Sequence, residues 1–419
     1  MSKKAQQTRP IHHLTIAIGV DVAKDSFEAR ALAADGSLGK RLRFGCDRDG
    51  FESLKAYAEA STQALGGATF IIAMEPTGHY GEPLAQWLLE RDIVVHSIST
   101  LKTARAKELY DGTTRKTDEK DARIIVDLCR RGFGRPWPRL KAPFAALRVL
   151  SHQREQLVKR QNQLTNRIHR HLDVLFPELR GVVPRFVTKS ALWLLEVAPT
   201  PARILALGLG DLTTGLRKAS AGQVGAKRAQ ELVEIAQRSV GLTVGVEPHE
   251  FALRQLLVEL RGLRELIRAV ESEMSESLDA VPYAKRLLTV RGLGQVSAAT
   301  LLGETGDLRD YRVAKQVLKM VGLDLVESSS GTRSGHRHIS KRGRRYARHM
   351  LYMVALKASM PGGPLRARRD RLVARGVAPK KAAVANVCAL VRILFALARD
   401  DADFNYGTAV NELEVPTAA

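Results

Sequence analysis

Two nearly continuous apolar runs near the N-terminus, each closed by an acidic residue, constrain the fold of this chain most strongly. Residues 14–20 lead into Asp21, and residues 68–74 lead into Glu75. Apolar runs without alternation are typical of strands that are buried on both faces of a sheet. A carboxylate at the end of such a strand must be paired, hydrogen-bonded or bound to a metal, because burying it bare is costly.

Weaker signals around these runs complete a βββαβαβα order over residues 14–131. Further strands are predicted over residues 26–32, 40–44 and 93–98, and helices over 49–65, 81–90, 100–109 and 117–131. Three hairpin-linked strands followed by αβ units are the order of the ribonuclease H-like fold, in which the first and fourth strands lie side by side in parallel. Asp21 and Glu75 are then expected at the same edge of the sheet.

A second pair of acids, Asp118 and Asp121, lies three residues apart in the predicted helix 117–131, so both belong to one helix face. Taken alone, they are equally well explained as an acidic helix start capped by Thr117. Together with Asp21 and Glu75 they make an oxygen-only ligand set suited to Mg²⁺ or Mn²⁺. Such a set supports two-metal phosphoryl transfer.

The rest of the chain is predicted to be helical. A proline-containing linker, 137–143, separates the α/β domain (11–136) from two heptad segments, in which Leu147 to Leu175 and Leu253 to Met274 mark the apolar seams. We predict a coiled-coil connector (143–280) with an insertion at about 180–248, although ordinary amphipathic bundle helices fit the heptads equally well. A helical domain (284–400) and a tail (401–419) follow.

The net charge of +22 predicts a polyanionic partner, with nucleic acid foremost. Aromatic residues make up only 5% of the chain, which argues against gripping single strands mainly by stacking. Residues 331–398 contain twelve arginines and four lysines but one acid, Asp370. A solvated basic face is the alternative to nucleic-acid contact. The candidate phosphate-binding residues are Arg333, Arg337, Lys341, Arg342, Arg344, Arg345 and Arg348.

Neither cysteine chemistry nor a membrane is expected. The three cysteines are far apart and form no CxxC pair, so a disulfide framework or a structural zinc site is not predicted. The longest apolar stretch, 382–398, is interrupted by Asn386 and Arg392 and falls short of a membrane span, so a core helix is predicted. We expect a cytoplasmic, nucleoid-associated protein.

Several short motifs resemble those of the DEDD-type insertion-sequence transposases (the IS-one-ten family), which include Piv-type DNA invertases and bridge-RNA-guided serine recombinases. The resemblance covers residues 14–131 and 285–360. Its motifs are IGVDVAK (18–24), MEPTG (74–78), KTDEKDAR (116–123), GLG (292–294), GL (322–323), SG (330–331) and SKRG (340–343).

This resemblance implies a RuvC-like N-terminal domain, a coiled-coil connector and a helical C-terminal transposase domain. It implies that Asp21, Glu75, Asp118 and Asp121 bind the metal. It also implies a serine that attacks DNA and is held as a covalent phosphoserine. By position this serine is Ser330, with Ser328 and Ser329 as alternatives, whereas the residues alone favour a flexible loop there.

The resemblance further implies a non-coding guide RNA that pairs with donor and target DNA, which suits a basic protein making mostly backbone contacts. A homo-oligomer, either a dimer or a tetramer, is expected to bring two duplexes together. We predict a transposase that moves its own insertion sequence. Two alternatives stay open: a RuvC-like Holliday-junction endonuclease that uses water as its nucleophile, and a non-catalytic nucleic-acid-binding protein.

Overall fold

The chain of 419 residues forms two compact units in the computed structural model, Met1–Arg139 and Leu140–Ala419. The structure describes residues 11–76, 78–111, 118–139, 141–327 and 337–405, with backbone only at 108–111, 118–120, 327 and 337.

The first unit is built on a mixed six-stranded sheet. Its strands are β1 (Thr15–Val22), β2 (Phe27–Leu32), β3 (Leu38–Phe44), β4 (Thr69–Met74), β5 (Val95–Ser97) and β6 (Arg135–Pro136), in the order β3-β2-β1-β4-β5-β6. β1 pairs in parallel with β4, which confirms the predicted neighbourhood of the first and fourth strands. The short β6 was not predicted; it lies immediately before the linker predicted over 137–143 and itself contains Pro136. Pro136 is tolerated there because β6 is an edge strand.

Helices cover both faces of this sheet. They are α1 (Arg48–Ala64), α2 (Glu82–Leu89), α3 (Thr100–Asp111) and α4 (Asp118–Arg130). The apolar faces of α1 and α2 pack on one side, where Ile16, Ile18 and Val20 of β1 are buried. On the other side Ala17 packs with residues of α4. Burial on both faces is why the strands read as unbroken apolar runs.

The second unit is almost entirely helical. Its helices are α5 (Ala142–Leu175), α6 (Leu179–Val182), α7 (Lys189–Val197), α8 (Pro201–Ala219), α9 (Ala226–Gln237), α10 (Val246–Asp279), α11 (Ala284–Leu288), α12 (Gln295–Thr305), α13 (Ala314–Met320), α14 (Arg345–Ala358), α15 (Arg366–Ala374) and α16 (Pro379–Asp400). The antiparallel strands β7 (Leu325–Glu327) and β8 (Arg337–Ile339) interrupt them. The mixed α/β N-terminal part and the helical remainder agree with the predicted fold class at this level.

The two heptad segments form the long helices α5 and α10, which pack side by side and antiparallel. Arg154 pairs with Glu271, and further along His171 contacts His249, so these two polar residues of α5 each have a partner on α10. The buried seam residues also pack against α7, α8 and α9. The region 180–248 therefore forms a helical bundle with one end of this pair.

The apolar stretch near the C-terminus lies in α16, whose buried residues belong to the core of the second unit. By length and composition α16 could cross a membrane, as could the bent pair of α7 and α8 taken together; 61% of the relevant α16 window is buried within the protein. This burial agrees with the predicted core helix.

The three cysteines are free thiols. Cys129 lies in α4 and is buried against the sheet. Burial raises the pKa of its thiol to about 12, so this residue fills the core and is a poor nucleophile at neutral pH.

Candidate active site

Asp21 and Glu75 lie at the carboxyl ends of two neighbouring parallel strands. The pairing of β1 with β4 runs to Val20 and Met74, and each acid is the next residue along its strand. Side chains alternate along strands, so both acids belong to the same face as Ala17 and Ala73, which is the face covered by α4. The structure thus brings these two predicted site residues together at one edge of the sheet.

Gly19 allows α4 to approach this edge closely. A Cβ atom at this position would lie 2.4 Å from the carbonyl oxygen of Ala122 and 2.7 Å from the amide nitrogen of Val126. Any larger residue would push the helix away from β1. The contact fixes the backbone of α4 against β1, two residues before Asp21 and one residue after Asp121.

Asp121 is only 5% exposed and is held by Lys107 of α3. The Lys107 Nζ lies 2.6 Å from each of its two carboxylate oxygens. Oδ2 accepts a hydrogen bond from this ammonium group, whereas Oδ1 has no hydrogen-bond partner with acceptable geometry among the described residues. Within the described residues, Oδ1 of this buried carboxylate is therefore contacted by the charge of the ammonium group but accepts no well-aligned hydrogen bond.

Glu75 is also held by α3. The hydroxyl of Thr103, itself almost fully buried, donates to Glu75 Oε2 at 2.8 Å and lies 2.9 Å from the carbonyl oxygen of Thr100. Thr103 and Lys107 are four residues apart and share one face of the helix. Sequence reasoning missed both residues, because nothing local in residues 100–109 indicates which acids they meet.

Asp118 is the first residue of α4, and its side chain lies outside the described part of the structure. Its backbone position, three residues before Asp121, agrees with a shared helix face. Among the described side chains, no three carboxylates, imidazoles or thiolates lie close enough together to hold a metal ion. Asp21, Glu75 and Asp121 therefore surround one sheet edge without forming a closed set of ligands.

Glu28 is a further acid that the sequence reasoning did not consider. In the antiparallel pairing of β1 with β2 it lies directly opposite Asp21, so the two share a face of the sheet. Its side chain is buried and pairs with Arg41 through Oε1, while Oε2 has no hydrogen-bond partner within the described residues. The alternation of β2, with Phe27 and Ala29 in the core, was the signal that could have placed it there.

The candidate serines, Ser328, Ser329 and Ser330, and also Arg333, lie outside the described residues. The ends of that segment are described: Glu327 of β7 pairs with Arg337 of β8, of which only the backbone is described. The base of this hairpin is closed by a hydrogen bond from Ser340 Oγ to the carboxylate of Asp324.

The motifs GL (322–323) and SKRG (340–343) meet at the base of the hairpin. The amide of Lys341 donates to the carbonyl of Gly322 at 3.0 Å. A Cβ atom on Gly343, whose φ is +152°, would lie 2.2 Å from the carbonyl oxygen of Met320. Two short motifs that are separated in sequence therefore form one tight backbone contact.

The candidate phosphate-binding residues at this base divide into two groups. Lys341, Arg342 and Arg345 are exposed. Arg348 donates to the carbonyl of Val321 at 2.8 Å, and Arg344 Nε lies 3.9 Å from the buried carboxylate of Glu304. The second group thus also contributes to the fold.

Glu304 of α12 takes part in a group of polar contacts with α5 that was not predicted from the sequence. His152 Nε2 lies 2.5 Å from Glu304 Oε1, and Arg148 donates to the carbonyl oxygens of Gly303 and Glu304. These contacts cap the C-terminal end of α12 and fix it to α5.

Two family models match the chain. One describes a DEDD transposase of the IS110 type and matches residues 18–177; the other describes a transposase of the IS116/IS110/IS902 family and matches residues 284–369. The first range contains Asp21, Glu75, Asp118 and Asp121, and the second contains Ser330 and the basic residues that follow it.

Similar proteins come from several bacterial insertion elements. The insertion element IS110 uncharacterized 43.6 kDa protein of Streptomyces coelicolor is 26% identical over 91% of this chain and 94% of its own length. The insertion element IS116 uncharacterized 44.8 kDa protein of Streptomyces clavuligerus is 29% identical over 68% of this chain and 71% of its own. The transposase for insertion sequence element IS1328 of Yersinia enterocolitica is 31% identical over 33% of this chain and 47% of its own.

These matches define the class of protein as a DNA transposase with a DEDD domain. The chain belongs to the IS110 (IS-one-ten) family of insertion-sequence transposases, which confirms the resemblance seen in its motifs.

Proposed function

We propose that this transposase excises and inserts its own insertion sequence by divalent-metal-dependent cleavage and exchange of DNA strands. In this proposal the first unit is a ribonuclease H-like, RuvC-like domain that holds the metal. The observation that carries it is the register of β1 with β4, which sets Asp21 beside Glu75, together with the close contact at Gly19 that fixes α4 and Asp121 against β1.

The residues present fit a hard divalent cation. All four candidate ligands, Asp21, Glu75, Asp118 and Asp121, offer carboxylate oxygens, which Mg²⁺ and Mn²⁺ prefer. Among the described residues, the buried Oδ1 of Asp121 has no well-aligned hydrogen bond, which suits an oxygen that would bind a metal ion. When bound, the metal would supply electrostatic stabilisation of the phosphate and activation of the attacking oxygen.

In the second unit we assign the nucleophile to Ser330, with Ser328 and Ser329 as the neighbouring alternatives. The serine oxygen would attack the scissile phosphorus, forming a phosphoserine ester while the bond between phosphorus and one deoxyribose oxygen breaks. The serine proton leaves, and the departing oxygen is protonated. The family match over residues 284–369 and the paired ends of the hairpin support this assignment.

The partners proposed are donor DNA, target DNA and a non-coding guide RNA. The exposed cations Lys341, Arg342 and Arg345 are suited to phosphates, with Arg333, Arg337, Arg344 and Arg348 completing the proposed surface. We further propose a homo-oligomer, a dimer or tetramer, that acts in the cytoplasm on the nucleoid.

Strand cleavage of DNA carrying the element ends tests the proposal. With Mg²⁺ and the full chain, Asp21→Asn and Asp121→Asn are expected to abolish cleavage, and Ser330→Ala is expected to abolish both cleavage and a protein–DNA adduct detectable in denaturing gels. Asp49→Asn is the matched control for the acids, because Asp49 lies in the first turn of α1 on the other face of the sheet.

The outcomes separate the alternatives. Cleavage that needs the four acids but survives alanine at each of Ser328, Ser329 and Ser330, without an adduct, indicates an endonuclease that uses water. Metal-independent DNA binding without any cleavage indicates a non-catalytic binding protein. Full activity of Asp21→Asn contradicts the proposed metal site.

A further inference from the structure

We infer that Lys107 competes with the metal for Asp121. Its ammonium group contacts both carboxylate oxygens and must move away before a divalent metal can bind both of them. The inference rests on the proposed function, since it presupposes that Asp121 is a metal ligand. The inference gives α3, which contains none of the sequence motifs, a role in the metal site.

The ammonium nitrogen of Lys107 is equally far from the two carboxylate oxygens of Asp121. The Nζ atom is 2.6 Å from Oδ1 and 2.6 Å from Oδ2, yet only Oδ2 has an acceptable hydrogen bond. An ammonium group directs its three N–H bonds at fixed angles, so it serves one oxygen well and the other only through its charge. A metal ion has no such directional demand and can bind both oxygens.

The same helix holds the other carboxylate that lies beside Asp21. Thr103, one turn before Lys107, donates to Glu75 Oε2 at 2.8 Å. Ala106 packs into the apolar layer with α4, which anchors α3 on this face of the sheet. One face of α3 therefore contacts an acceptor atom on each of two proposed ligands.

The Lys107 side chain has a route away from the carboxylate. Its side chain is 29% exposed, compared with 6% for that of Asp121, so the ammonium group can turn toward water while the acid stays in place. A long, flexible lysine stem allows this movement at little cost to the surrounding packing. Lysine and metal then compete for the same carboxylate.

Titration of the full chain with Mn²⁺ in the absence of DNA, followed by electron paramagnetic resonance of free Mn²⁺, tests the competition. A neighbouring positive charge lowers the proton affinity of a carboxylate by about tenfold or more, and it opposes the binding of a metal cation for the same electrostatic reason. Lys107→Met is therefore expected to bind Mn²⁺ about tenfold more tightly than the wild type. Arg105→Met is the matched control, since it removes one positive charge from an exposed position on the same helix. It is expected to stay within about twofold, because exposed charges are screened.

A second measurement uses the wild-type protein and avoids dependence on the folding of a variant. The rate at which an amine-reactive acylating reagent modifies Lys107 can be measured by mass spectrometry of the peptide that contains it. This rate is expected to rise when Mn²⁺ is added, relative to the rates of other lysines. Equal or weaker Mn²⁺ binding by Lys107→Met, or a Lys107 acylation rate that Mn²⁺ leaves unchanged, overturns the inference. A variant that is unfolded and stays so at saturating Mn²⁺ overturns it too, because Lys107 is then a structural residue.

Failure of the inference differs from failure of the proposed function. If the wild type binds Mn²⁺ and Asp121→Asn loses that binding, the metal site stands whatever Lys107 does. If the wild type binds no Mn²⁺ and Lys107→Met binds none either, the metal site itself is wrong.

Discussion

Two buried aspartates, one in each unit, differ in the number of hydrogen bonds that their carboxylates accept. Asp307 of the second unit accepts hydrogen bonds from the backbone and the guanidinium of Arg309, and Lys141 lies 3.3 Å from Oδ2. Asp121 of the first unit meets a single lysine, and one of its oxygens has no hydrogen bond among the described residues. Fixed partners saturate the carboxylate of Asp307, as expected of a structural acid, whereas Oδ1 of Asp121 accepts no well-aligned hydrogen bond, as expected of the proposed metal ligand.

The pKa of Asp307 reflects its fixed partners. Burial opposes ionisation of Asp307, but the hydrogen bonds from the side chain and backbone of Arg309 outweigh it and hold its pKa at about 2. Asp307 is therefore ionised throughout the physiological range because of its fixed partners, and its role is structural.

Exchanging each aspartate for asparagine gives the largest expected effects. Asp121→Asn is expected to lower DNA cleavage by about a thousandfold or more, because a proposed metal ligand is lost, while stability changes little, since Lys107 is partly exposed. Asp307→Asn is expected to keep the chemistry but lose about 3 kcal/mol of unfolding free energy, because buried charged partners lose their counter-charge. Cleavage assays beside urea unfolding check both; a reversal of the two patterns would remove the contrast.

Gly19→Ala tests whether the approach of α4 to β1 sets the position of Asp121. The added Cβ would lie 2.4 Å from Ala122 O, so the helix must shift. We expect a loss of about 3 kcal/mol and about a hundredfold lower cleavage. Gly36→Ala is the control, because its Cβ meets open space and its φ of +92° costs only about 1 kcal/mol. Equal activity of the two variants would show that the contact at Gly19 does not position the acid.

Acid titration of stability sharpens the role of Asp307. Its folded pKa of about 2 lies below the ordinary 3.8, so its contribution is fully present above about pH 4 and is lost as the pH falls through 2. The difference amounts to about 2 kcal/mol. Urea unfolding of wild type and Asp307→Asn between pH 5 and pH 2 measures it, and the two proteins are expected to converge in stability at the acid end.

The smallest expected effect separates two arginines of α14. Arg345 is exposed, so Arg345→Ala is expected to weaken DNA binding a few-fold and to reduce the slope of log K against log salt by about one. Arg348 donates to Val321 O, so Arg348→Ala is expected to cost about 1 kcal/mol of stability. Filter binding over a salt series and thermal unfolding distinguish them; an unchanged salt slope for Arg345→Ala would remove it from the phosphate-binding surface.

Much of the first unit was predictable because its signals are local. Two apolar runs, each ending in an acid, gave β1 and β4 to within two residues, and the strand order predicted their parallel pairing. Gly19, a glycine within a buried strand, also carried a readable sign of close backbone approach. Lys107 and Thr103 left no such sign, because their contacts with Asp121 and Glu75 cross between separate elements.

The second unit shows the same division. The heptad seams predicted the buried faces of α5 and α10, since helical periodicity is a property of neighbouring residues. The joining of residues 320–323 with 340–344, and of His152 with Glu304, depends on which elements meet in space. Such contacts cannot be predicted from local sequence patterns, because the residues that form them are far apart in the chain.

The sequence by itself therefore determined the family, the strand order, the proposed carboxylate ligands and the concentration of positive charge in residues 331–398. Only the tertiary structure decided that Asp121 and Glu75 already have partners on α3, and which side chains these are. Local patterns specify secondary structure through the chain's own periodicity. The state of an acid at the sheet edge is instead set by partners from another element, here Lys107 for the buried Asp121 and Thr103 for the half-buried Glu75.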